Sequence, residues 1–190
     1  TFDGVLADPR SVRLVPVKDK EWLRIDGKRY KDTIIVRKTG PRKLIVINEL
    51  GLENYIAGIL PCEVDHEWPI EALKAQAVIS RTYAMINLKR HSKEECNFCN
   101  KVHCQVFGGI ESEKKITNMA VELTQGEVLT YSGKLAQTVY HAACAGHTEN
   151  PSNVWKWEIP APEYLKGVKD KYCKGNKHQN WTKDVEISYL

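Results

Sequence analysis

A mixed α+β domain is the fold this sequence predicts, and three features predict it. Short β-branched or alternating runs, broken by turn signals, fill the first fifty residues. An Ala-rich stretch of helical apolar period runs from Pro69 to about Lys89, and from His91 to Gly109 that period gives way to polar sequence bearing cysteine and histidine. The expected architecture is a central Ala-rich helix with antiparallel β segments and an inserted Cys-rich loop at about 91–109. A chain of 190 residues can bury one substantial core and is short for two. It reads as a single domain over 1–190, β-rich over 1–50, with the helices and the loop over 51–190.

In the β-rich part, SVRLVPV (11–17), EWLRIDG (21–27), DTIIVRK (32–38) and KLIVINEL (43–50) are the expected strands. Asp26-Gly27 and Gly40-Pro41 mark turns, since Gly and Asp tolerate the positive φ of tight hairpins and Pro cannot join a ladder. In GLENYIAGIL, Leu52, Tyr55, Ile56 and Ile59 recur at helical spacing, which predicts a short helix over 51–60. The long helix opens at Pro69, whose missing N–H costs nothing at a first helical position, and Glu71 complements the positive end of the helix dipole. Its expected buried face is Ile70, Leu73, Ala77, Ala84 and Leu88. ESEKKITNMAVELTQ (111–125) repeats the period, with Ile116, Met119, Ala120 and Leu123 as the apolar face and Gly126 as the stop. EVLTYSG (127–133) and LAQTVYHAAC (135–144) read as strands turned at Ser132-Gly133. Beyond Ala145 the composition predicts long loops and one last strand in TKDVEISYL (182–190).

Composition narrows the class of function. An apolar fraction of 42% and a charged fraction of 27% are those of an ordinary globular domain. The 28 Lys and Arg exceed the 24 Asp and Glu by only four, and the charges are interspersed, which argues against a nucleic-acid surface. No apolar run approaches the roughly 18 residues of a spanning helix. Beginning at Thr1 without a basic-plus-apolar leader, the chain reads as mature or trimmed, with room for a removed signal or anchor. Five Trp and eight Tyr either line a carbohydrate groove or pack the core, the second being the commoner use.

Glu63 is the first candidate for chemistry. It stands ahead of the long helix beside Leu60 and Pro61 and near Trp68, and a carboxyl held against apolar surface with no cation nearby is suited to donating a proton. The six cysteines supply the second candidate. Cys96, Cys99 and Cys104 lie close together with His91 and His103, whereas Cys62, Cys144 and Cys173 are isolated. Cys96-x-x-Cys99 is a metal knuckle, and His103 with Cys104 completes a tetrahedral Cys3His zinc set. The spacing equally allows His91 in place of Cys96, or a set without His103, and a disulfide between two of these cysteines is the alternative. With four protein ligands such a zinc would be structural. Cys144-Ala-Gly-His147 also admits a Cys-His nucleophile acting on peptide bonds.

LENYIAGILPCEVDHEWPIEALKAQAVISRTYA (52–84) closely resembles the core motif of the SpoIID/LytB family, the sporulation stage II protein D and amidase-enhancer-like domains. HCQVFGG (103–109), YHAACAGHTENPSNVW (140–155) and EYLKGVKD (163–170) are similar to later blocks of that family and occur in its order. Cys62 and Cys144 depart from its pattern, and many members continue past the point matching Leu190. The resemblance implies a peptidoglycan lytic transglycosylase that cleaves between N-acetylmuramic acid and N-acetylglucosamine and leaves 1,6-anhydro ends, with Glu63 as its catalytic acid and base. It also implies glycan contacts from Gln76, Arg81, Tyr140, His141, Thr148 and Glu149, with Glu149 the reserve carboxylate for charge stabilisation. A structural ion pair is the alternative for Arg81. Some SpoIID-like proteins carry zinc at the Cys-rich loop. The implied setting is extracytoplasmic and wall-facing, with peptidoglycan glycan strands and an N-acetylmuramoyl-L-alanine amidase as expected partners. The competing implication is a non-catalytic wall-binding module that enhances such an amidase.

Overall fold

A computed structural model describes residues 10–17, 22–155, 161–173, 182 and 184. They belong to two compact units, one within 1–138 and the other within 139–190. The mixed α+β class is as predicted. In the first unit, β1 (Ser11–Leu14), β4 (Thr33–Gly40) and β5 (Lys43–Glu49) form an antiparallel sheet in the order β1-β4-β5, with Val12 opposite Val36 and Ile35 opposite Ile47. Between β1 and β4 stands a separate hairpin of β2 (Leu23–Ile25) and β3 (Lys28–Tyr30). Its two turn residues, Asp26 at φ +49° and Gly27 at φ +78°, are both left-handed, which is the backbone twist a two-residue hairpin needs. Asp32 joins sheet to helix, because its Oδ2 accepts the Gly51 N–H at 2.9 Å and the Asn54 amide at 3.0 Å.

Three helices supply the core: α1 (Leu52–Glu63), α2 (Ile70–Ile86) and α3 (Lys115–Leu123). Ile56, Ile59 and Leu60 of α1 pack with Leu73, Ala77 and Ala84 of α2 and with Ala120 and Val121 of α3. The α1 helix is longer than its apolar period predicts. It continues through Pro61 and ends on Glu63, after which Val64 is extended. Proline has no N–H to give the Ala57 carbonyl, so the last turn lacks that bond, and the helix ends two residues on.

Two predicted faces differ from those observed. Helix α2 stops at Ile86, so Leu88 lies beyond it and is exposed. In α3 the buried side is Thr117, Ala120 and Val121, leaving Met119 and Leu123 exposed. Threonine can take the buried side because its hydroxyl is satisfied locally: Thr117 donates to the Lys114 carbonyl at 3.0 Å, and Thr124, just past the helix, to that of Ala120 at 2.8 Å.

The short hairpin β6 (Thr130–Tyr131) and β7 (Lys134–Leu135) turns at Ser132-Gly133 as predicted. The strand expected over 135–144 does not continue past Leu135. Ala136 instead donates its N–H to the Leu129 carbonyl, and the Thr138 hydroxyl donates to that of Ile79. Among its described residues the second unit holds a short α-helix, α4 (Pro151–Val154), capped by the Asn150 side chain, and a 3₁₀ turn over Glu163–Leu165. The last predicted strand lies outside the described residues apart from Thr182 and Asp184.

Candidate functional site

The extended segment Gln105–Gly108 runs against α1 and is stitched to it. Gly108 donates its N–H to the Gly58 carbonyl at 3.0 Å, and the Tyr55 hydroxyl donates to Gln105 Oε1 at 3.3 Å. Gln105 is buried, and its amide donates to the Ser80 carbonyl of α2 at 3.3 Å. Phe107 stacks on Tyr55, with ring centroids 5.8 Å apart, and covers Gly58. A Cβ on Gly58 would meet the Phe107 ring at 2.4 Å. Gly58→Ala is therefore expected to destabilise the fold by about 1–3 kcal/mol despite alanine's better helix propensity. Denaturant titration checks this, and Phe107→Leu in the same chain should restore part of the loss.

This stitching places Glu63. At the C-terminal end of α1 its Oε1 accepts the Val106 N–H at 3.0 Å. The residue is half-buried, and among the described residues no Lys, Arg or His forms an ion pair with it. One carboxylate oxygen is thus anchored by backbone. The Trp68 that follows is exposed.

On α2, Gln76, Ser80 and Tyr83 recur at helical spacing, continued by Asn87 at the C-terminal cap, and make a polar stripe beside the apolar face. The Gln76 amide donates to Ser80 Oγ at 3.3 Å. The Tyr83 hydroxyl accepts from Arg90 at 3.1 Å. Burial pushes that hydroxyl's pKa up; the Arg90 guanidinium opposes the shift, and the Glu63 carboxylate adds a smaller push upward. Tyr83 is thereby a member of the Glu63 neighbourhood that sequence reasoning missed. Its position within the stripe was the available signal, because the apolar period alone passes over it.

Arg81 takes its structural alternative and not the glycan contact expected of it. Its side chain is fully buried, clamps both oxygens of Glu53 at 2.9 and 2.7 Å, and donates to the Glu127 carbonyl at 3.0 Å. Glu53 also accepts the Gly126 N–H at 3.3 Å. The pair fastens α1, α2 and the segment after α3 together and leaves the guanidinium no access to a substrate.

The Cys-rich loop gathers His91, Cys99, His103 and Cys104, whose candidate ligand atoms all lie within 4.8 Å of one another. Cys96, of the expected Cys96/Cys99/His103/Cys104 set, is not among them and His91 is, the alternative that the spacing left open. A 3₁₀ turn over Ser92–Glu94 and the left-handed Glu95 separate His91 from Cys96, and the Cys96 N–H bonds back to the His91 carbonyl. Two imidazoles and two thiols at this spacing fit a tetrahedral zinc. His103 Nδ1 lies 3.3 Å from His91 Nε2 and 3.6 Å from Cys104 Sγ, and its Nε2 lies 3.4 Å from Arg90. Burial pushes the Cys104 thiol's pKa up. At Cys99 burial acts in the same direction, but hydrogen bonds from Lys101 and Cys104 bring the net shift down.

Tyr140, His141, Thr148 and Glu149 belong to the second unit. Thr148 pairs with Val168, its N–H reaching the Val168 carbonyl at 2.9 Å and its hydroxyl accepting the Val168 N–H at 2.8 Å. Glu149 is exposed, and the Asn153 amide and Asn150 N–H hold its carboxyl below the usual range. The Cys144 thiol donates to Asp170 Oδ2 at 3.1 Å, and that bond, with burial, raises its pKa. Bonded in this way it is a thiol turned to a carboxylate and not a nucleophile activated by His147, so the Cys-His reading is withdrawn.

Residues 41–131, which hold α1, α2, α3 and the Cys-rich loop, match the SpoIID family, described as Stage II sporulation protein. A protein of Brachyspira hyodysenteriae described as uncharacterized is 40% identical over 148 residues, 77% of this chain and 39% of that protein. The Amidase enhancer of Bacillus subtilis is 35% identical over 168 residues, 88% of this chain and 21% of its own length. Stage II sporulation protein D of the same organism is 30% identical over 153 residues, 72% and 43% of the respective chains. The chain thus spans less than half the length of each of these relatives. The match over 41–131 and these identities, carried by the same helices that hold Glu63, support the SpoIID family for this chain.

Proposed function

We propose that this domain is a lytic transglycosylase of bacterial peptidoglycan, acting outside the cytoplasm, with Glu63 as its only proton-transfer group. The observation that carries the reading is the setting of Glu63: half-buried, anchored at one oxygen by the Val106 N–H, and unpaired with any cation among the described residues. In its acid form Glu63 protonates the oxygen linking N-acetylmuramic acid to N-acetylglucosamine, and the bond to the muramoyl C1 breaks. The resulting carboxylate then takes the proton of the C6 hydroxyl as O6 attacks C1. The ring closes as a 1,6-anhydro sugar, Glu63 regains its proton, and no water is consumed. Ordinary glycosidases need a second carboxylate to activate water or to attack the sugar; this reaction does not. Gln76 is a proposed glycan contact of the first unit, and Tyr140, His141 and Thr148 are proposed glycan contacts of the second, where Glu149 is held as an anion and is not suited to proton donation.

His91, Cys99, His103 and Cys104 are proposed to hold a structural zinc. Bound there, the ion ties the loop together without taking part in the chemistry. Cys104 lies two residues before Val106, so fixing Cys104 also fixes the N–H that positions Glu63. Cys104→Ser is expected to remove one equivalent of bound zinc, lower the melting temperature and reduce glycan cleavage, as read by metal analysis, calorimetry and end-group assay.

The competing reading, a non-catalytic module that enhances an amidase, draws on the name of the Bacillus subtilis relative. Mass spectrometry of purified glycan strands, with and without their peptide stems, decides between the two. The proposed enzyme leaves anhydro ends on at least one of these substrates, and their absence from both would favour the enhancer.

A further inference from the structure

The second unit has a feature that glycan cleavage does not use. Among its described residues only Pro151 is buried. A segment that buries so little is commonly held by a metal or a cross-link. Cys144, Asp170 and Cys173 meet within it, and their candidate ligand atoms all lie within 4.8 Å of one another. The Cys144 thiol donates to Asp170 Oδ2 at 3.1 Å, and the Cys144 N–H donates to Cys173 Sγ at 3.3 Å.

The backbone builds this meeting. Ala145 at φ +52° and Gly146 at φ +101° are consecutive left-handed residues that curl the chain directly after Cys144. For alanine that conformation is strained, and surrounding structure must hold it. Here the returning segment does so: Asp170 donates its N–H to the Gly146 carbonyl at 2.9 Å, His147 bridges to Lys169, and Thr148 pairs with Val168. Gly167 allows the close approach, since a Cβ there would meet the Thr148 carbonyl oxygen at 2.5 Å.

We infer that Cys144, Asp170 and Cys173 form a second metal site, separate from the His91 cluster, that takes a thiophilic divalent ion of the zinc class. Two thiolates and one carboxylate suit zinc, with bonds of about 2.3 Å to sulfur and about 2.0–2.2 Å to oxygen. On binding, the two thiols release their protons to solvent, and the metal replaces the Cys144 proton that Asp170 now accepts. A disulfide would join the two sulfurs alone and give Asp170 no part, whereas its oxygen is already in the ligand position. The three side chains leave a tetrahedral ion one further position, and the ion's role is to fasten a unit whose described residues bury little.

The test uses the whole chain, reduced, stripped of metal and reloaded with zinc. Cys144→Ser and Cys173→Ser should each bind one equivalent less than the unsubstituted chain, whatever the His91 cluster holds. Equal zinc content in all three would overturn the site. Should a variant fail to fold, iodoacetamide labelling of the unsubstituted chain answers the same question. Zinc is expected to slow labelling of both Cys144 and Cys173, and unchanged rates at these two residues, or their recovery as a disulfide under reductant, would refute it.

Discussion

Glu63→Gln is expected to lower the rate of anhydro-end formation about 100- to 10,000-fold, the range over which a positioned acid–base group contributes. The substitution keeps an oxygen that can accept the Val106 N–H, so stability should stay within about 0.5 kcal/mol of the unsubstituted protein. Glycan binding should survive for the same reason. An enhancer without chemistry of its own would be indifferent to the change, so rate, stability and binding measured on one preparation separate the two accounts. A loss of rate together with a large loss of stability would point to a structural role for Glu63 instead.

Removing the Arg81 side chain should cost the fold more than any other single change considered, about 3–5 kcal/mol for Arg81→Ala. The guanidinium is fully buried, and its loss strands Glu53 and the Glu127 carbonyl without their partner. Chemical denaturation measures the cost directly. If Arg81 instead bound glycan, the variant would keep its stability and bind substrate more weakly, an outcome that would contradict the structural assignment. Arg81→Lys should recover only part of the loss, because an ammonium cannot clamp both oxygens of Glu53 and reach the carbonyl as a planar fork does.

Much of this architecture is legible in the sequence because it rests on local signals. Asp26-Gly27 turns where its backbone freedom says it should, and the Leu73, Ala77 and Ala84 face of α2 is buried as its period predicts. What escapes local reading depends on partners far along the chain. Arg81 on that same face is a core residue only because Glu53 stands 28 positions earlier to pair with it. The buried side of α3 includes Thr117 because its hydroxyl finds a carbonyl three residues back, something an apolar period cannot register. His91 in place of Cys96 follows from a turn between them, where spacing alone left the choice open. Val106, which anchors Glu63, acts through its backbone N–H, and its side-chain identity therefore carries no signal.

The central claim is that a sugar hydroxyl, and not water, completes the cleavage under the control of Glu63. Digestion of glycan strands in water enriched in oxygen-18, followed by mass spectrometry of the new muramoyl ends, tests it most directly. The account predicts 1,6-anhydro ends free of the heavy isotope, formed by the unsubstituted chain and not by Glu63→Gln. Reducing ends carrying oxygen-18 would show hydrolysis and contradict it.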